Sequence, residues 1–391
     1  MSGTVSILYH LVIPFLVAFF ATLWIHPKVL KIAIMKNLVD NPDARKLQRR
    51  PTPVMGGLAV FFGIVIGMCS SQLISSNYMF IYLAVMSIML YIGTIDDILD
   101  LSPKLRFLIE ITVIVLLMKV THHSINNFFG LWGIQAIPIW CAAPLTVVAA
   151  VGIINAINLI DGVNGLSTGF CIMSCSLFAI LFVLSNNIPM AIIAMSAAGA
   201  IIPFFLHNVF GSNTRMFIGD GGALVMGVIM SIFIINILCS DSLSSELSRK
   251  NIGLIPFCLA VLSVPVFDTL RVMSMRIIRG TSPFNADKTH LHHLFIDLGF
   301  SHIGTTFSIL SLNTLVVLAW LISFLLGASV DIQLYVVLFF SILITFVFYR
   351  FTRQQIRKNT KVYRMLNKIS QYSHIERKNF WKKLETIIDR F

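Results

Sequence analysis

Charge is scarce in this sequence. Only 12% of its 391 residues are Asp, Glu, Lys or Arg, about half the share of an ordinary soluble domain. Acid is scarcer still, with 17 Asp and Glu against 29 Lys and Arg, so each carboxylate stands out. Hydrophobic residues reach 57% and the mean hydropathy is +0.86, which excludes a soluble globular chain. The six cysteines, Cys69, Cys141, Cys171, Cys175, Cys239 and Cys258, all lie in apolar stretches without ligand-type pairing, and neither a disulfide framework nor a zinc site is indicated. No fixed-period repeat and no polar stretch long enough for a soluble domain interrupts the pattern. A net charge of +12 is therefore read as attraction to anionic lipid headgroups; nucleic acid is not an expected partner, because its readers present a basic face on a soluble module.

What the sequence does have is long apolar runs. Stretches near the roughly 20 residues that cross a bilayer recur at 5–25, 55–75, 78–95, 105–120, 140–160, 168–185, 189–206, 222–239, 252–271, 304–326 and 333–349. The reading is an all-α polytopic membrane protein of about eleven transmembrane helices. The first run is too long and too poorly flanked for a cleaved signal peptide and is expected to stay as a helix. An odd number of spans puts the termini on opposite sides. Of the 29 Lys and Arg, 26 then fall on one side, the exceptions being Lys119, Arg249 and Lys250. Cytoplasmic loops carry such an excess, so the amino terminus is expected outside and the carboxyl terminus inside. Residues 1–350 form the transmembrane domain. Residues 351–391 form a basic tail whose Val362, Leu366, Ile369, Trp381, Leu384 and Ile388 fall near helical spacing, as in a helix lying on an anionic membrane surface.

Five carboxylates, Asp96, Asp97, Asp100, Asp161 and Asp220, fall where these runs end, and all five on the inner side. Asp96, Asp97 and Asp100 follow the third run, and on a helix end Asp96 or Asp97 would share a face with Asp100. Asn155, Asn158 and Asp161 recur every three residues and lead into Gly162-Val163-Asn164-Gly165. Gly219-Asp220-Gly221-Gly222 opens the eighth run, where backbone amides favour anions. His290, His292 and His293 sit near Arg276, Arg279 and Lys288 and can donate to phosphate oxygens or shuttle a proton. A turn between the first two spans, Leu38 to Gly57, carries Arg45, Lys46, Arg49 and Arg50. Acids inside a membrane protein mark function by default, and acids gathered at one face point to a cation such as Mg²⁺ handling phosphates. Glu110, four residues after Arg106, reads as the partner of an i,i+4 ion pair, and Asp268, followed by Arg271, as a residue that positions the histidine loop.

In this order, from Leu38 to about Gly299, the motifs resemble those of the polyprenyl-phosphate N-acetylhexosamine-1-phosphate transferases. The tract Arg279-Gly280-Thr281-Ser282-Pro283-Phe284 with His290-Leu291-His292-His293 is similar to the branch using UDP-N-acetylglucosamine or a close relative of it. The branch making the first peptidoglycan lipid intermediate has three consecutive histidines, where this chain has Leu291 between the first two.

The resemblance implies transfer of N-acetylhexosamine 1-phosphate, GlcNAc-1-phosphate above all, from a UDP-sugar to undecaprenyl phosphate at the cytoplasmic face of a bacterial inner membrane. UMP leaves, Mg²⁺ is required with Mn²⁺ as a substitute, and the product starts O-antigen, capsule, teichoic acid or a related glycan. A homodimer is compatible with the family. By position, Asn158 and Asp220 would bind the metal, and Asp96 or Asp97 would act on the lipid phosphate. Asp161 would lie at the nucleotide sugar, and Phe217 would stack on uracil with Lys46 and Asn208 nearby. His290, His292 and His293 would hold the diphosphate or sugar. Asn164 departs from the Asp of most bacterial members and, as an amide, fits uracil recognition better than proton transfer. Gly222 and Ala223 stand where many members have Ser or Thr. The competing readings are phospho-MurNAc-pentapeptide transfer and a secondary transporter, which would place its charged residues near the bilayer midplane.

Overall fold

The computed structural model describes residues 3–40, 51–74, 78–241, 243, 245–282, 288–374 and 379–390. Lys46 and residues 283–287 lie outside the described residues, so the expectation for Lys46 has no geometry attached to it.

Among the described residues the chain is all-α apart from one two-stranded ribbon, β1 (Val39–Asp40) against β2 (Thr52–Pro53). The helices are α1 (Gly3–Met35), α2 (Gly56–Cys69), α3 (Met79–Leu99), α4 (Pro103–Thr121), α5 (Ile139–Leu159), α6 (Leu166–Leu184), α7 (Ile188–Phe210) and α8 (Gly219–Ile237). They continue with the single-turn α9 (Ser245–Arg249), then α10 (Leu254–Val261), α11 (Ser263–Ile278), α12 (Leu291–Asp297) and α13 (His302–Leu325). The last four are α14 (Val330–Ile342), α15 (Tyr349–Arg357), α16 (Lys361–Ser370) and α17 (Asn379–Ile388).

Among the described residues, eight helices are long and apolar enough to cross a bilayer, or nine if the bent pair α10 and α11 is one span. The two further segments expected to cross are also helical but differ in kind: α2 has only 14 residues, and α4 carries Lys104, Arg106, Glu110 and Lys119. The protein is a multi-pass membrane protein by the length and composition of its helices.

Helix α8 is the centre of the bundle. Apolar on every side, it can only be stable where it is covered all round, and every residue of it except Asp220 is buried. It packs on α2, α3 and α5. Two contacts are backbone on backbone: a Cβ on Gly57 would come 2.3 Å from the Gly222 nitrogen, and one on Gly93 would come 2.5 Å from the Gly221 Cα. Small residues permit such approach inside a membrane, where van der Waals packing rather than water expulsion holds helices together. The acid-bearing start of α8 is thereby pressed against the end of α3.

The pair α10 and α11 bends by 75°. Backbone groups freed at such a break need partners in a lipid environment. Asn313 of α13 supplies them, accepting from the Val264 N–H at 2.9 Å and donating to the Val261 carbonyl at 3.0 Å. The bend is built in, and Asp268 and Arg271 lie on α11 beyond it.

Candidate active site

The site forms where α3, α4, α5 and α8 end together. Helix α3 stops because Asp100 adopts the left-handed conformation, with φ of 50°. Ser102, whose hydroxyl accepts from the Leu105 N–H, and Pro103 in the first turn then start α4 at once. This reversal carries Arg106 back onto the acids. Its Nη1 lies 2.9 Å from Asp96 Oδ2 and 3.4 Å from Asp220 Oδ2, and its Nε lies 3.6 Å from Glu110 Oε1. Asp96 also accepts from the Leu101 N–H at 2.8 Å. Asp100, expected on one face with Asp96 or Asp97, is instead the exposed residue that ends the helix and stays outside the cluster.

Asp97 and Asp220 meet through the backbone. Asp97 Oδ1 accepts from the Asp220 N–H at 3.0 Å and Oδ2 from the Gly221 N–H at 3.3 Å, so the carboxylate caps the positive end of α8. The side chain of Asn158, from the last turn of α5, faces the Asp220 carboxylate. One turn earlier, Asn155 donates to Glu110 Oε2 and to the Val151 carbonyl. Glu110 is thus more than the partner of an ion pair on one helix, because it ties α4 to α5.

Asp161 lies just past the end of α5, in the electrostatic reach of Asp220, and its Oδ1 accepts from the Ser167 hydroxyl. Burial raises its carboxyl to about 7; the Ser167 hydrogen bond opposes the shift and the Asp220 charge adds to it. The turn that follows is braced by Asn208, which accepts from the Gly165 N–H at 2.7 Å and donates to the Met216 carbonyl at 2.8 Å. Asn208 is buried, and these two bonds join the 162–165 turn to the loop before α8. Asn164 is bound by its backbone to α13, its carbonyl accepting from Thr306 Oγ1 at 2.9 Å. Phe217 is half-buried, its N–H donating to the Pro53 carbonyl at 2.8 Å and its carbonyl accepting from the Gly56 N–H at 3.0 Å.

The histidine segment borders the Asp161 turn, since a Cβ on Gly162 would lie 2.4 Å from His292 Nε2. Asp268 organises this segment. It takes His290 Nδ1 at 3.0 Å, Arg271 Nη2 at 2.6 Å and the Leu291 N–H at 3.1 Å, and it is itself buried. Arg271 also donates to the Thr289 carbonyl at 2.6 Å and lies over the Tyr349 ring. The rings of His290 and His292 are parallel at 5.8 Å, and those of His292 and His293 are 4.3 Å apart. Burial, then the neighbouring His293 and His290, hold His292 well below the ordinary histidine range, so it is neutral at pH 7.

The structure therefore brings Asp96, Asp97, Asn158, Asp161 and Asp220 to one end of the bundle, with His292 beside the Asp161 turn. Asn208 and Asn164 are engaged in bracing that turn. Sequence reasoning missed Arg106 as the shared cation of the cluster and Ser167 as the partner of Asp161. The short Asp100 to Pro103 reversal, which obliges α4 to run back beside α3, is a signal for the Arg106–Asp96 pair alone; the Asp220 contact, 114 residues away, has none. Asp220 and Asn158 together offer hard oxygen donors. Among the described residues no group of three or more His, Cys, Asp or Glu is arranged to hold a metal ion. One carboxylate and one amide fit an ion such as Mg²⁺, which keeps several waters and completes its octahedron with substrate phosphates.

The chain is similar to known proteins. Residues 79–238, which span α3 to α8 and so hold the acid cluster, match the model of glycosyl transferase family 4. The chain is 29% identical over 326 residues to the probable undecaprenyl-phosphate N-acetylglucosaminyl 1-phosphate transferase of Bacillus subtilis (strain 168), covering 81% of this chain and 88% of the relative. It is 29% identical to the undecaprenyl-phosphate alpha-N-acetylglucosaminyl 1-phosphate transferase of Yersinia pestis, over 69% of this chain and 73% of that one. The protein of the same description from Escherichia coli (strain K12) is 28% identical, over 69% and 72%. Residues 79–238 thus resemble glycosyl transferase family 4, and over most of its length the chain is similar to proteins described as undecaprenyl-phosphate sugar-phosphate transferases.

Proposed function

We propose that the protein transfers N-acetylglucosamine 1-phosphate from UDP-N-acetylglucosamine to undecaprenyl phosphate at the cytoplasmic face of the membrane, starting a lipid-linked glycan. The observation that carries this reading is the meeting of Asp220 with Asn158, Asp97 and Arg106 at the start of one buried helix, with Asp161 and His292 alongside. The names of the relatives in Bacillus and Yersinia support the acceptor and the sugar phosphate. The surplus of basic residues on one side supports a cytoplasmic site, an external amino terminus and an internal carboxyl terminus.

In this reading an oxygen of the lipid phosphate attacks the phosphorus that carries the sugar. A new P–O–P linkage forms, the bond to the oxygen bridging the two donor phosphates breaks, and UMP leaves with that oxygen. The lipid phosphate is already anionic near neutral pH, so attack needs little help from a base. The difficulty is charge, because two anions must approach. Mg²⁺ held by Asp220 and Asn158, with Mn²⁺ able to replace it, would neutralise diphosphate charge when bound. Arg106 supplies fixed positive charge among the acids. Asp97 orients the first turn of α8, whose backbone amides favour anions. His290, His292 and His293 donate to the diphosphate or sugar, with His290 steadied by Asp268. Phe217 stacks on uracil, and Asn164 presents its side-chain amide to it. Asp161 stands at the nucleotide sugar and organises charge rather than accepting a phosphoryl group.

The test is to incubate the purified protein with UDP-N-acetylglucosamine, Mg²⁺ and undecaprenyl phosphate. The expected result is UMP and a sugar-diphosphate lipid in equal amounts. Inorganic phosphate in place of that lipid would mean hydrolysis, and donor movement across a vesicle without UMP would mean transport; either overturns the proposal. A sugar-phosphate adduct trapped on the enzyme in the absence of lipid would overturn direct attack.

A further inference from the structure

The carboxyl-terminal segment touches the site's supports in two places. At the first it clasps the end of the histidine segment. Arg353 pairs with Asp297, the last residue of α12, and Asn367 donates to the Leu298 carbonyl at 2.9 Å. His374 Nε2 lies 3.0 Å from the Gly299 carbonyl, and Ser301 donates twice to Ser373, from its N–H to the hydroxyl at 3.0 Å and from its hydroxyl to the carbonyl at 2.7 Å.

At the second place α17 lies across the end of α7. Trp381, expected on the membrane face of a surface helix, is buried, with its ring 4.6 Å from that of Phe210. Near the end of the same helix the Asp389 carboxylate receives four hydrogen bonds from the loop before α8. They come from the N–H groups of Ser212 at 3.0 Å, Asn213 at 3.2 Å and Thr214 at 3.3 Å, and from the Thr214 hydroxyl at 2.8 Å. Burial pushes this carboxyl up, but the amides and the hydroxyl outweigh it and hold the group below the usual carboxylate range.

Thr214 passes the constraint inward. Its hydroxyl proton goes to Asp389, so His207 Nδ1, 3.0 Å away, must be the donor to that oxygen. The Thr214 carbonyl takes His26 Nε2 at 2.9 Å, and the two imidazoles stack at 4.2 Å. The loop held in this way leads directly into Phe217 and Asp220, and its far end is fixed by Asn208 and Pro53. A helix that served only to rest on lipid would have no use for an acid receiving three consecutive backbone amides. Charge-assisted bonds of this kind are about twice as strong as neutral ones.

We propose that the carboxyl-terminal segment is an intramolecular strap across the site, and that Asp389 is a positioning residue which sets the 211–218 loop for the nucleotide sugar. The proposal rests on the transfer reaction above.

Its test uses the full-length protein in nanodiscs, comparing wild type with Asp389→Ala, Asp389→Asn and, on the exposed face of α17, Lys383→Ala. Amide exchange at residues 212–214 reports docking without reference to activity. Michaelis constants for UDP-N-acetylglucosamine and for undecaprenyl phosphate are measured separately. In Asp389→Ala the three amides lose protection and the KM for the nucleotide sugar rises roughly five- to tenfold, the factor that corresponds to a lost helix-cap-strength interaction. The KM for the lipid and the behaviour of Lys383→Ala stay at wild-type values. Asp389→Asn, which keeps one acceptor oxygen, falls between. Unchanged exchange overturns the strap. Lost protection with an unchanged KM for the nucleotide sugar, or an equal rise in both constants, overturns the positioning role. A wild-type protein that releases no UMP overturns the reaction and this role with it, and the exchange arm separates that failure from a failure of docking.

Discussion

Asp97 caps the helix that begins at Asp220, accepting the Asp220 and Gly221 N–H groups at 3.0 and 3.3 Å. Two acids from sequence segments more than a hundred residues apart are held together by backbone amides, which bind one of them and leave the side chain of the other to face Arg106 and Asn158. Asp97→Ala is expected to lose about 1–2 kcal/mol of stability, the worth of a strong cap, and to lower turnover by moving Asp220. Asp97→Asn keeps an acceptor and should lose less. Thermal unfolding in detergent checks the first claim; an Asp97→Ala protein that melts with wild type would show that the cap does not hold α8.

Asp220→Ala should abolish transfer, by a factor of about 10² or more, and flatten the dependence of the remaining rate on Mg²⁺. A Mg²⁺ titration of UMP release in both proteins is the measurement. Wild-type turnover in the variant would remove Asp220 from the metal assignment.

The Asp161 carboxyl, raised to about 7 by burial, gives a pH signature of definite sign. Folding raises this pKa above its unfolded value, so the folded state binds the proton more tightly. Its contribution is greatest at low pH and is lost as pH rises toward 7. Melting temperature in detergent should therefore fall between about pH 5 and pH 7. Asp161→Asn, which cannot ionise, should show a smaller fall over the same window. Parallel profiles for the two proteins would refute the assignment.

Gly93→Ala places a methyl group 2.5 Å from the Gly221 backbone, where no flexible side chain can yield. Separation of α3 from α8 is expected to cost about 1–3 kcal/mol and to reduce activity by drawing Asp97 away from its amides. Melting temperature and turnover should fall together. A stable but inactive variant would mean that the glycine serves the chemistry and not the packing.

Asp268→Ala leaves Arg271 buried without its carboxylate and His290 without its partner. The expected loss is about 3–5 kcal/mol, far more than for a surface ion pair. Asp268→Asn should retain part of it. Chemical denaturation of the purified variants decides the point, and near-wild-type stability of Asp268→Ala would count against the buried triad.

How much of this was legible depended on distance along the chain. Helices were legible because each apolar run carries its own signal. The grouping of Asp96, Asp97, Asp161 and Asp220 at one end followed from counting those runs, which requires no contact to be known. The count of eleven was less secure than the helices themselves, since α2 is short and α4 is charged, and only eight or nine helices satisfy length and composition alone. Asp268 was read correctly as a support for the histidine loop, its neighbour Arg271 lying on the same helix. Asp100 was placed wrongly because a helix was continued through a residue that in fact adopts the left-handed conformation and stops it.

By itself the amino-acid sequence determined that the chain is a helical membrane protein and which acids, amides and histidines are available at the ends of its helices, because hydropathy and residue type are local properties. Only tertiary structure decided that Arg106 is shared by Asp96 and Asp220, that Asp97 serves as a cap, and that the basic tail folds back so that Asp389 reaches Thr214. Those pairs stand 114 and 175 residues apart for Arg106 with Asp220 and Thr214 with Asp389. Hydrogen bonds over such separations are fixed by how the helices pack, and no local pattern in the chain encodes them.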